Sequence, residues 1–101
     1  MWLFAMFDLP VGTRAERRAH TAFRKFLKRE GFTMLQYSVY ARYCGSEDVA
    51  RGVRELVGGA VPEKGQVRML GVTEAQFGKQ VVFVRGKRRR SEKKPEQLLL
   101  F

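Results

Sequence analysis

Asp8 closes the apolar run Trp2 to Phe7 and stands directly before Leu9-Pro10-Val11-Gly12. A carboxylate at a strand end has two chemical readings. It can bond back to the turn that follows it, or it can ligate a hard cation such as Mg2+. Metal nucleases ordinarily use two or more acidic ligands, and Asp8 is the only carboxylate at a strand end near this turn. A metal site here therefore needs a second copy of the chain, or oxygens from phosphate and water.

The second group able to do chemistry is cationic. Residues 14–30 carry seven Lys/Arg against two Glu, residues 85–101 repeat that count, and the rest of the chain balances six basic residues with six acidic ones. The whole excess thus sits on one helix and one tail, the footprint of a polyanion partner. Few Glu stand four residues from these cations to pair with them. Arg14, Arg17, Arg18 and Lys25 on the first segment, with Arg85, Lys87 and Arg88 on the second, are the candidate phosphate contacts. By residue type they hold a backbone and do not read bases. The alternatives are a solvated helix face and a solvated tail. A single histidine, His20, and a single cysteine, Cys44, exclude a histidine-based or cysteine-rich metal cluster and an internal disulfide within one chain. Neither is assigned a role, and a reducing cytoplasm fits.

These groups must be carried by one domain. The chain has 101 residues, 45% hydrophobic and 30% charged, with a formal net charge of +10. Apolar content at that level supports a packed core despite the charge. No apolar run approaches the roughly 20 residues that span a bilayer, and the opening run is too short for a secretion signal.

Residues 2–8 read as a strand with two apolar faces, Trp2, Phe4 and Met6 with Asp8 on one and Leu3, Ala5 and Phe7 on the other. Thr13-Arg14-Ala15-Glu16 is a capping box opening a helix with Ala15, Ala19, Ala22, Phe23, Phe26 and Leu27 as its apolar stripe, and Gly31 supplies its left-handed stop. Residues 32–44 alternate as strand, with Leu35, Tyr37, Val39, Ala41 and Tyr43 on one face and a bulge or break near Leu35. Ser46 caps a second helix buried through Val49, Val53, Leu56, Val57 and Ala60 and closed by Gly58-Gly59. A turn at residues 62–65 leads to a strand over 66–73. A loop at 76–78 then precedes a short strand at 81–84.

That order is α+β: a ferredoxin-like βαββαβ domain over residues 1–85, with an extra C-terminal strand, followed by a basic tail over 86–101. Right-handed crossovers put both helices on one sheet face and leave the other bare and apolar, which predicts a homodimer. After Pro95, Leu98, Leu99, Leu100 and Phe101 form an apolar end on a polar leash. It is suited to partner docking at a sheet edge, or to folding back on its own core.

Phe7-Asp8-Leu9-Pro10 with Thr13-Arg14-Ala15-Glu16-Arg17-Arg18, and then Gln36-Tyr37-Ser38-Val39-Tyr40, resembles the CRISPR-associated Cas2 family over essentially the whole chain. The stretches 73–78 and 92–98 look like the variants from type II loci. The resemblance implies a homodimer that works with the Cas1 integrase in spacer acquisition, bridging two integrase dimers and carrying double-stranded DNA. For some members it also implies a magnesium-dependent endonuclease on single-stranded RNA or double-stranded DNA. The strand-end metal ligand and catalytic residue of that activity falls on Asp8, and the basic contacts near the first helix fall on Arg14, Arg17 and Arg18. Two functions stay open: an architectural DNA-binding subunit and a metal-dependent nuclease.

Overall fold

The computed structural model describes residues 1–85 and 87–95, without the side chain of Lys87. Four strands make the main sheet: β1 (Trp2–Asp8), β2 (Thr33–Gln36), β3 (Val39–Tyr43) and β4 (Gln66–Val72), all paired antiparallel in the order β2-β3-β1-β4. Helices α1 (Arg14–Arg29) and α2 (Glu47–Ala60) cross one face, completing the ferredoxin-like arrangement. That face is dry. Leu3, Ala5, Phe7, Tyr40 and Cys44 meet Phe23 and Leu27 of α1 and Ala50, Val53 and Val57 of α2 in one cluster.

The chain folds this way locally for identifiable reasons. The Thr13–Glu16 capping box is formed, and Gly31 adopts φ 89° to end α1. Phe32 then drops into the core, its N–H donating to the Leu27 carbonyl at 3.0 Å. Ser46 caps α2 through the Val49 N–H, but the helix runs through Gly58-Gly59 to Ala60. Within α2 the buried stripe is Ala50, Val53 and Val57, whereas Val49 and Leu56 are exposed.

Residues 32–44 are not one strand. The register shifts at Leu35, between Met34 and Gln36, and the chain reverses at Tyr37-Ser38, with Gln36 opposite Val39. Tyr37 therefore leaves the apolar face expected for it and is 84% exposed.

The second face is not bare, because the chain covers part of it. Glu74–Gly78 forms a short helix, α3, where a loop is expected, started by a second capping box between Thr73 and Gln76. Its Phe77 stacks on Trp2 with ring centroids 4.0 Å apart, burying Trp2 and Ala41. Strand β5 (Val82–Val84) stays out of the main sheet and pairs with β6 (Lys87–Arg89) as a hairpin, so residues 87–89 of the expected tail are strand. The remainder of the face keeps Phe4 half-buried and Leu70 54% exposed. No described helix is long and apolar enough to cross a membrane.

Candidate nucleic-acid interface

Asp8 is exposed at the last position of β1, opposite Gln66 of β4. Two packing devices fix the backbone around it. The Phe7 N–H donates to the Ser38 carbonyl at 3.0 Å, tying the β2–β3 turn to the end of β1. On the other side Leu9 is buried against Gly65, where any Cβ would run into Leu9 Cδ2. The residue is glycine because the two loops touch there.

From this corner the chain enters α1. Thr13 Oγ1 accepts from the Glu16 N–H at 3.1 Å, and Glu16 Oε1 accepts from the Thr13 N–H at 3.0 Å. The other Glu16 oxygen lies 3.9 Å from Lys64 Nζ. The one acidic side chain in the first turn of α1 is thus engaged by the cap and by Lys64. Arg17 Nη1 donates to the Val11 and Gly12 carbonyls at 3.2 and 3.4 Å, bracing the loop that leads into the helix. That leaves the rest of the guanidinium fork available.

Arg14, Arg17, Arg18 and Lys25 line one shallow cleft with Thr21 and Ala22. None of the four takes part in an ion pair among the described residues. Cations in a first turn also oppose the helix dipole, whose N-terminal end is itself positive. The arrangement works against the stability of α1 and in favour of an anion bound there. Phosphate is the anion that both features hold well.

The second basic group lies elsewhere. Arg85 is exposed at the β5–β6 turn with φ 52°. Arg88 lines a different cleft, together with Trp2, Phe77 and residues 89–94. The structure does not bring Arg85 or Arg88 together with the α1 cluster. The side chain of Lys87 and the segment Leu98, Leu99, Leu100 and Phe101 lie outside the described residues.

No group of three or more His, Cys, Asp and Glu side chains converges among the described residues. The described residues of one chain therefore do not build a metal cage. Asp8 forms no described ion pair, and its exposed carboxylate suits the mode in which Mg2+ takes one or two carboxylates and completes its shell with water and substrate phosphate. Cys44 is buried, and that burial raises its thiol pKa above the ordinary value although Arg42 pulls the other way. His20 packs against the edge of Phe7. Tyr37 is the residue of this corner that alternation misplaced, since the apolar period of Leu35, Tyr37 and Val39 runs straight through the reversal.

Residues 1–80 match the family described as CRISPR associated protein Cas2. The chain belongs to the Cas2 family. It is 48% identical over its full length, and the relative's, to the CRISPR-associated endoribonuclease Cas2 of Parvibaculum lavamentivorans. A relative of the same name from Flavobacterium psychrophilum is 37% identical over the whole of this chain and 88% of its own. The crystal structure of Streptococcus pyogenes Cas2 superposes with a TM-score of 0.59 at 16% identity, covering 73% of this chain and 88% of that one. That last likeness establishes the fold.

Proposed function

We propose that this Cas2-family chain forms a homodimer, holds duplex DNA along the α1 cleft and bridges the Cas1 integrase during spacer acquisition. The observation that carries this reading is the convergence of Arg14, Arg17, Arg18 and Lys25 on one cleft, while Glu16 is engaged elsewhere. Such a surface binds a phosphate backbone without regard to sequence, as a protein that handles arbitrary incoming DNA must. The homodimer rests on the part of the second face that the described residues leave open, where Leu70 is exposed and Phe4 is half-buried. Arg85, Lys87 and Arg88 are assigned to a second, weaker contact with the same polyanion.

A second reading is favoured by the exposed Asp8, which has no ion-pair partner among the described residues, and by the endoribonuclease names of the relatives. In it, Asp8 of two copies holds Mg2+, and Arg17 or Arg18 holds the substrate phosphate. The metal would supply Lewis-acid polarisation at a phosphodiester.

One variant separates the two readings. Asp8→Asn keeps the shape and removes the charge. Tested side by side in spacer-acquisition and nuclease assays, it should bind duplex and support acquisition nearly as well as the parent, and it should not cut. Cleavage that survives in highly purified protein would remove Asp8 from the chemistry. Failure to bind duplex would make Asp8 a structural residue.

A further inference from the structure

Tyr37 is the first of the two residues that link β2 to β3, and it is 84% exposed, more than any other large apolar side chain among those described. It buries almost nothing, so the fold gains little from it. The turn around it is nevertheless held firmly. Ser38 adopts φ 60°, a left-handed conformation that costs a non-glycine residue about 1 kcal/mol or more, and the Phe7 N–H fixes its carbonyl at 3.0 Å. Strain of this kind persists where the surroundings over-determine it, and it concentrates at ligand-binding sites. Phe7 is the residue before Asp8, so the tie places an exposed aromatic ring on the same sheet end as the strand-end carboxylate and the start of α1.

We propose that Tyr37 is a base-stacking residue, presenting its ring to an unpaired nucleobase while the α1 cations hold the adjoining phosphates. Every base has a π-face, so such a contact tolerates any sequence but requires the base to be out of a duplex. The proposal rests on the reading that this end of the sheet binds nucleic acid. It adds a means of preferring a single-stranded segment near Asp8 over continuous duplex.

The test uses the full chain with single-stranded and duplex oligonucleotides of mixed sequence, the single strand carrying 2-aminopurine as a stacking reporter. Tyr37→Leu keeps bulk and apolarity and loses the flat ring, whereas Tyr37→Phe keeps the ring. The leucine variant should lose on the order of tenfold in single-strand affinity, the worth of one base–aromatic stack, together with the quenching of 2-aminopurine. The phenylalanine variant should retain both, and duplex affinity should stay within about twofold in each. Equal losses on both substrates, or a shift from dimer to monomer by light scattering, would make Tyr37 a structural or dimer contact and overturn the proposal. So would an unchanged single-strand affinity. A parent chain that binds duplex but no single strand would sink the stacking role alone. A parent chain that binds neither would sink the interface with it.

Discussion

Residues 14–30 and residues 85–101 each carry seven basic and two acidic side chains, yet the structure uses the two sets differently. On α1, Arg14, Arg17, Arg18 and Lys25 share a cleft without a described ion-pair partner, and the nearby Glu16 is held by the cap and Lys64. In the C-terminal segment two of the exposed cations have described carboxylate neighbours. Arg89 lies 3.8 Å from Glu92, Lys94 lies 3.3 Å from Glu74, and Lys94 also sits 5.7 Å above the Tyr43 ring. Equal net charge therefore does not mean equal surroundings. What separates the two sets is where the carboxylates are, and whether one helix holds the cations together.

Both basic regions depend on the core beneath the sheet. Leu27 is fully buried under α1, and Leu27→Ala should destabilise the chain by about 4 kcal/mol in urea unfolding, because that closed core cannot collapse into the cavity. Both basic regions lose their base if it does. Phe77→Ala should cost about 3 kcal/mol, less than Leu27→Ala because a five-residue helix can settle toward Trp2. This variant should loosen the C-terminal strap while duplex binding through α1 persists, so a matching drop in duplex affinity would merge the two regions into one. Thr13→Ala removes one side of the capping box and should cost about 1 kcal/mol in thermal unfolding. A cost several times larger would mean that the whole Asp8 corner depends on that cap.

The same contrast shows what could be read from the residues alone. The period of Phe23 and Leu27 and the capping box at Thr13 announce α1, and the two-sided apolar run announces β1 as a covered strand. The cations of α1 and the strand-end Asp8 were legible because residue type and position already state their chemistry. The turn at Tyr37-Ser38 was not, since apolar alternation continues through it and the reversal depends on a left-handed serine held by Phe7. Nor was the cover over Trp2 legible. Helix α3 is too short to show a period, and its only local signature is the spacing of Thr73 and Gln76. The exposure of Val49 and Leu56 reflects a small rotation of α2, which three-dimensional packing fixes and periodicity does not.

If the α1 cleft is the phosphate-holding surface, the salt dependence of duplex binding reads it out. Log affinity against log salt should fall steeply for the parent chain. Replacing Arg14, Arg17 and Arg18 with alanine should flatten that slope by about 0.9 for each phosphate that is no longer neutralised, equally for unrelated sequences. Replacing Arg89 and Lys94 instead should leave the slope nearly unchanged. An unaltered slope in the α1 variant, or a weakening confined to particular sequences, would contradict the account.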